Sequence, residues 1–304
     1  MLEVNALESL KRVNTELSKR VIADVDNYCA TAYDGGHRKH LGASIIGSEC
    51  KRYLWYTFRW CFSQQFDGRM QRLFNRGHRE EARFIGWLRG SGFTVYDKET
   101  PDVFNEKGEV ITEGKQFRVS DVMGHFGGSC DGVTYFPITY AIDMAVLLEF
   151  KTHGTGKNFQ KLKDEGVQLS KFQHYAQMSV YGYKMNLSHA LYMSINKNDD
   201  DIHVEVVELD HTLGKQMILR AEQIITSEIP PARISDNPTF FKCKFCPAYK
   251  LCHQGNTPER NCRSCVNAVP VDNAQWFCRL HNGVIPDNFI PTGCDFYKAI
   301  TENV

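Results

Sequence analysis

The sequence predicts an α/β fold, a mixed sheet flanked by helices, with a cysteine-rich C-terminal appendage. Four observations predict it. Helical apolar spacing runs through residues 6–92, and short alternating segments broken by Gly, Asn and Pro fill 93–150. Strand and helix patterns then alternate as far as 225, and seven of the eleven cysteines follow residue 242.

Residues 6–30 place Leu10, Val13, Leu17, Val21, Ile22 and Val25 at helical spacing, as in an amphipathic helix packing on the body. Asp34-Gly-Gly-His-Arg-Lys-His40 reads as a turn with a basic edge. Ser44 to Phe62 is a second apolar and aromatic helical segment, with Cys50 near its start. Arg76-Gly-His78-Arg-Glu-Glu81 opens a helix that continues through Phe84, Ile85 and Leu88 to Gly92; His78 and Glu81 share one of its faces.

From Phe93 to Phe150 the pattern is a mixed or antiparallel meander. Asp121–Asp131 and Tyr140–Phe150 are expected as neighbouring strands, which would bring Asp131 beside Glu149. Thr152-His-Gly-Thr-Gly156 reads as a loop, and Ser170–Lys184 as a helix. His189–Asn196 and Ile202–Leu209 read as a strand pair and Leu213–Ile225 as a helix, with Pro230-Pro231 closing the domain. The expected division is a helical segment 1–43, a main domain 44–252 and a Cys-rich tail 253–304.

At 304 residues, 42% hydrophobic and 24% charged, the chain has room for one large domain with an appendage. No apolar run approaches the roughly 20 residues of a membrane-spanning helix. Met1-Leu-Glu-Val-Asn has neither the basic region nor the apolar core of a secretory signal. No membrane partner is expected, and the expected location is cytoplasmic, in a host cell if the source is viral. Net charge is zero, which argues against a generally basic nucleic-acid binder. Residues 51–90, however, carry nine Lys or Arg against Asp67, Glu80 and Glu81. Interleaved with Trp55, Tyr56, Phe58 and Trp60, they would suit phosphate contacts and base stacking; a solvated helical face is the plainer reading.

The stretch with chemistry in it is Ala145-Val-Leu-Leu-Glu149-Phe-Lys151, with Gly127-Gly-Ser-Cys-Asp131 upstream. Side chains alternate along a strand, so Glu149 and Lys151 share a face while Phe150 points the other way. Ala145 to Leu148 reads as buried on both faces, with charge appearing where the strand leaves the core. A carboxylate and an ammonium there can hold a divalent cation and polarise a water, and Asp131 is the natural second carboxylate. Taken alone, the pair is more simply a solvent-facing ion pair at a strand end.

His78, Asp131, Glu149-Phe150-Lys151 and Gln177-Met-Ser-Val-Tyr181 occur in this order. That order resembles the PD-(D/E)XK nucleases of the RecB type, including the CRISPR-associated RecB-like exonucleases and the nuclease domain of AddB, over roughly residues 44–252. The resemblance implies a restriction-endonuclease-like core and a metal-dependent DNA exonuclease of recombination, repair or replication. Its implied partners are single-stranded DNA or duplex ends, with replication or recombination proteins, and compact bacteriophage-encoded versions are similar. It further implies that His78 joins the metal site and that Gln177 and Tyr181, four apart on one helix face, approach the active centre or the DNA. A middle Phe where an aliphatic residue is commoner, and a sizeable loop between Asp131 and Glu149, depart from the pattern without removing a functional group.

Phosphodiester hydrolysis needs a water deprotonated near neutral pH and charge compensation, which Mg²⁺ or Mn²⁺ on oxygen ligands supplies. Asp131 and Glu149 are the expected carboxylate ligands, the Phe150 carbonyl a third oxygen, and His78 a nitrogen ligand favouring Mn²⁺. Lys151 would orient or help deprotonate the attacking water.

Clustered cysteines outside an oxidising compartment usually mean metal. Cys243-Lys-Phe-Cys246 and Cys252 supply three thiolates. In the iron–sulfur nucleases that this chain resembles, the fourth cysteine lies far upstream, where Cys50 stands, so the resemblance implies a [4Fe–4S] cluster on Cys50, Cys243, Cys246 and Cys252. Zinc on the same sulfurs is the alternative that spacing leaves open. Beyond it, Cys262-Arg-Ser-Cys265, Cys278 and Cys294 would hold a tetrahedral zinc that folds a tail with few aliphatics. His281 could replace one sulfur, His253 is a remoter option, and free buried thiols are the bland reading. Cys29, Cys61 and Cys130 read as unpaired thiols. Two other function classes stand beside the nuclease: a non-catalytic nucleic-acid-binding scaffold and an electron carrier. The four residues His78, Asp131, Glu149 and Lys151 speak against the first, and the lack of any flavin or nicotinamide motif against the second.

Overall fold

The strand expected at the chemical stretch runs Val146–His153 and lies at the centre of a five-stranded sheet. The computed structural model describes residues 2–33, 35–154 and 156–300, with side chains described from residue 14 onward. The helices are α1 (Leu2–Ala32), α2 (Lys51–Phe58), α3 (Gly68–Gly90), α4 (Lys157–Ser170), α5 (Phe172–Met185), α6 (His211–Thr226), α7 (Phe241–Lys244) and α8 (Tyr249–His253). The strands as far as the centre are β1 (Leu41–Gly42), β2 (Thr94–Tyr96), β3 (Val103–Phe104), β4 (Val110–Thr112), β5 (Arg118–Asp121), β6 (Phe126–Ser129), β7 (Gly132–Tyr135) and β8 (Val146–His153). After it come β9 (His189–Asn196), β10 (Ile202–Glu208), β11 (Ala268–Val271), β12 (Gln275–Cys278) and β13 (Gly283–Val284).

The chain divides into two compact units, Met1–Gly36 with Gln64–Ala82, and His37–Ser63 with Arg83–Val304. In the first, α1 meets the start of α3 near its C-terminal end: Arg72 pairs with Asp26, and a side chain at Gly68 would run into the Asp26 backbone. Asp67 caps α3, its carboxylate accepting from the Met70 N–H at 2.7 Å, so this helix begins eight residues before the expected Arg76. The apolar stripe of α1 does not pack as expected. Leu17, Val21, Ile22 and Val25 are exposed, and the described contacts of the helix, through Asp26 and the buried Cys29, are made toward its C-terminal end; Leu10 and Val13 lie outside the described side chains.

In the second unit the sheet order is β10-β9-β8-β7-β2, parallel between β8 and β9 and antiparallel elsewhere. The alternation of β8 sorts two cores. Val146, Leu148 and Phe150 face Phe84 and Leu88 of α3, with the Phe150 and Phe84 rings stacked at 4.8 Å. Leu147 faces the larger core with Ala176 and Val180 of α5. It is β7, following Asp131, that pairs with β8, Gly132 opposite Leu148. Residues 118–129 instead form a hairpin in a separate sheet with β1, because 122–124 turn back on themselves. The strand also continues through Thr152 and His153, where a loop was expected; Thr155 lies outside the described residues.

Two further expectations change. Trp55, Tyr56, Phe58 and Trp60 are buried as the apolar face of α2 and the turn after it, so they cannot stack on bases. Several basic residues of the same segment are ion-paired, Arg76 with Glu80, Arg83 with Asp200 and Arg89 with Asp97. The tail does not depend on metal alone for burial. Trp276, Ile285, Ile290 and Ile300 join the larger core, and the buried Arg263 guanidinium lies over Trp60 at 4.4 Å and over Phe58 and Trp276 at 4.7 Å. Arg59 donates to the Ala268 carbonyl at 2.7 Å, and Asn261 to that of Trp60 at 2.8 Å. Among the described residues no helix is long and apolar enough to cross a membrane.

Candidate active site

β8 delivers Glu149 and Lys151 to one face, and the Lys151 ammonium pairs with Glu149 Oε1. Glu149 is 1% exposed, so the charge appears inside the core and not where the strand leaves it, and the solvent-facing ion pair is ruled out. Asp131 immediately precedes β7, one residue from the β7–β8 register. Its Oδ2 accepts the Phe150 N–H at 2.5 Å. Burial pushes the Asp131 carboxyl up, against the pull of Lys151 and of that N–H. Two carboxylates are therefore held close to one ammonium in a place with little water to solvate them, which is the electrostatic condition a divalent cation relieves.

α5 supplies the third side. Gln177 Nε2 lies 3.4 Å from both Glu149 Oε2 and the Tyr181 hydroxyl. Tyr181 in turn donates to the Ser129 carbonyl at 3.0 Å, which ties the helix to the chain just before Asp131. Gly128 makes room for this contact, since a Cβ there would strike the phenol oxygen. Burial raises the Tyr181 phenol, with Glu149 adding to the effect, so the hydroxyl stays protonated. The structure thus gathers Asp131, Glu149, Phe150, Lys151, Gln177 and Tyr181. His78 is exposed on α3, in the part of that helix that belongs to the first unit.

Three residues that sequence reading passed over adjoin this group. Tyr192 lies opposite Glu149 in the β8–β9 register, and its hydroxyl meets His174 Nδ1 at 3.0 Å and His153 Nε2 at 3.3 Å. A phenol has one proton, so at least one imidazole must donate to it. Burial, and next the nearby lysines Lys171 and Lys151, take His153 down to about 4. Burial and then Lys151 take His174 to about 3, so both rings are neutral at pH 7. The available signal was the period of two: Glu149, Lys151 and His153 occupy one strand face.

Cys50, Cys243, Cys246 and Cys252 line one cavity of about 640 Å³. Cys50 caps α2, its sulfur accepting from the Tyr53 N–H at 3.4 Å, so the start of that helix fixes its place. Burial raises the Cys243 and Cys246 thiols, and Cys50 and Cys252 add to the rise in each. Cys262, Cys265, Cys278 and Cys294 line a second cavity of about 390 Å³, with His281. All eleven cysteines are free thiols. Among the described residues no three His, Cys, Asp or Glu side chains are set so as to hold a metal ion. Cys61 and Cys130, expected as thiols without a role, are buried, and burial pushes both to about 12.

No family model matches the chain, and no curated protein matches it either. Sixteen solved chains match the structure. One is the crystal structure of SSO0001, 14% identical, with a TM-score of 0.37, covering 71% of this chain and 86% of its own. Another is LHK-Exo in complex with dAMP, 14% identical, with a TM-score of 0.40, covering 65% of this chain and 89% of its own. A third is the alkaline exonuclease LHK-Exo from Laribacter hongkongensis, 15% identical, with a TM-score of 0.38, covering 62% of this chain and 87% of its own.

Proposed function

We propose that the protein is a metal-dependent deoxyribonuclease of the PD-(D/E)XK type, acting as an exonuclease on DNA ends in recombination, repair or replication. The observation that carries this reading is the meeting of Asp131, Glu149 and Lys151 at the junction of β7 and β8, closed by Gln177 and Tyr181 of α5. The donor set fits a hard divalent cation: Asp131 and Glu149 would hold Mg²⁺ or Mn²⁺, with the Phe150 carbonyl as the third oxygen the motif implies. Bound there, the ion supplies charge compensation and a water acidified toward neutral pH. Lys151 orients that water or takes part in its deprotonation while offsetting charge on the phosphate. Gln177 holds Glu149 in place, and Tyr181 anchors the turn that carries Asp131.

In the same reading Cys50, Cys243, Cys246 and Cys252 would hold a [4Fe–4S] cluster. Four free thiols line one cavity, and they come from segments far apart in the chain, so the cluster would clasp those segments together. Cys262, Cys265, Cys278 and Cys294 would hold zinc, which requires the sulfurs to draw in to about 2.3 Å from the ion. The test is incubation of purified protein with end-labelled single- and double-stranded DNA in Mg²⁺, in Mn²⁺ or in chelator. Metal-dependent shortening from the ends is expected, and cleavage that survives in Glu149→Ala would remove the site from the mechanism.

A further inference from the structure

With Trp55, Tyr56, Phe58 and Trp60 buried, the aromatic and basic surface of this unit lies elsewhere. The segment Phe241-Lys-Cys243-Lys-Phe245-Cys246 leaves Phe241 61% and Phe245 79% exposed. Lysines alternate with them and lie over their faces, Lys242 over Phe241 at 5.6 Å and Lys244 over Phe245 at 5.9 Å. Across the cavity that Phe245 rims stands the start of α5, with Lys171 and the half-exposed Phe172. Of the cations in the cavity lining, Lys242 pairs with Glu49, Arg233 with Asp236, and the buried Arg52 donates to the Pro231 carbonyl; Lys171 lines the cavity beside Phe172, and Lys244 lies over Phe245 at its rim.

We infer that this rim is a platform for single-stranded DNA, on which Phe245 and Phe172 stack bases while Lys171 and Lys244 hold phosphates. The alternation of exposed rings with lysines fits that ligand: every base offers a flat face, and the strand offers a charge per residue. The direction is set by α5. Phe172 stands five residues before Gln177, about 7.5 Å along the helix, and Gln177 reaches Glu149. A strand lying on the platform is thereby led toward the catalytic carboxylates. His174 lines the same cavity and also contacts Tyr192, which joins the two places. This rests on the nuclease reading for its purpose, although the platform is a binding site in its own right.

The test uses the full chain carrying Glu149→Ala, with fluorescence anisotropy on a labelled oligothymidine and on a blunt duplex. Phe245→Ala and Phe172→Ala should each weaken single-strand binding about tenfold, as loss of one base–aromatic stack does, and leave duplex binding nearly unchanged. Phe245→Trp should bind as the parent does, and Phe245→Leu as poorly as Phe245→Ala. Lys244→Gln should reduce the slope of log affinity against log salt by about 0.7. Phe245 is so exposed that its replacement does not threaten the fold. Parent-like single-strand binding by Phe245→Ala and Phe172→Ala, in a protein that otherwise cuts DNA, overturns the platform and leaves the nuclease standing. Parent-like binding by Phe245→Leu also overturns it, since an apolar surface for a protein partner would then suffice. Ring-dependent binding by a wild-type chain that never cuts DNA upholds the platform and overturns the nuclease.

Discussion

Asp131 is held by the residue next to Glu149: its Oδ2 accepts the Phe150 N–H at 2.5 Å. One carboxylate of the pair is thus positioned by the backbone of the strand that carries the other, and Phe150 itself is anchored on the far face by stacking on Phe84. The distance between the two acids is fixed by sheet geometry and not by flexible side chains.

Replacing either acid is expected to remove cleavage, and Lys151→Ala to slow it by about 10²–10⁴. Stability should respond differently. Glu149→Gln removes a buried charge and should not lower the Tm of metal-free protein, whereas Lys151→Ala strips Glu149 of its counter-charge and should lower it. Thermal unfolding in chelator, beside a cleavage assay, checks both; a lower Tm for Glu149→Gln than for Lys151→Ala would contradict the arrangement.

Tyr181→Phe deletes the hydrogen bond to Ser129 but keeps the ring. The expected loss is about 1 kcal/mol of stability. Turnover should fall with little change in DNA affinity, because the turn bearing Asp131 loses its anchor. Denaturant titration and single-turnover kinetics measure the two effects.

His174 gives a pH dependence with a definite sign. Its folded value, about 3, lies below the ordinary 6.5. Between these limits the unfolded chain binds more protons, so stability rises with pH through that window. The contribution is complete above about 6.5 and is lost as pH falls toward 3, with His153 adding to the same limb from about 4. His174→Gln should flatten the acid side of a Tm-against-pH curve; an unchanged acid limb would show that the imidazole is not buried as described.

Protein purified without oxygen should be brown and contain about four iron atoms per chain, and Cys243→Ser or Cys50→Ser should bleach and destabilise it. Colourless anaerobic protein with one zinc on those sulfurs would replace the cluster with the alternative metal.

The tail should prove inseparable from the body. Arg263 is 1% exposed and stacked among Phe58, Trp60 and Trp276, and burial, then Arg59, hold its guanidinium well below the usual range. Arg263→Ala is expected to cost roughly 2–4 kcal/mol, mostly as lost packing, and Arg263→Met to recover much of it. Truncation near residue 256 should expose the α2 aromatics and lower the Tm, which differs from a detachable binding arm. Equal stability of the truncated and full chains would restore the detachable tail.

The sequence by itself determined what is local. Apolar runs and their period placed α5, α6, β9 and β10 within a few residues, and the strand of Glu149 and Lys151, because burial on one or both faces writes itself into neighbouring positions. The grouping of Asp131, Glu149, Lys151, Gln177 and Tyr181 was legible for another reason, the resemblance of their order to that of a known nuclease motif, since no single periodicity links them. Only the tertiary structure decided what depends on pairing across distance. The hairpin 118–129 left the sheet, β7 took its place beside β8, and Glu149 was drawn into the core with Tyr192 and His174 beside it. Likewise the α2 aromatics, which sequence alone left free to meet DNA, were claimed by Arg263 and Trp276 from more than two hundred residues downstream. An aromatic ring has the same composition whether buried or exposed, and what covers it is supplied by residues that no local pattern names.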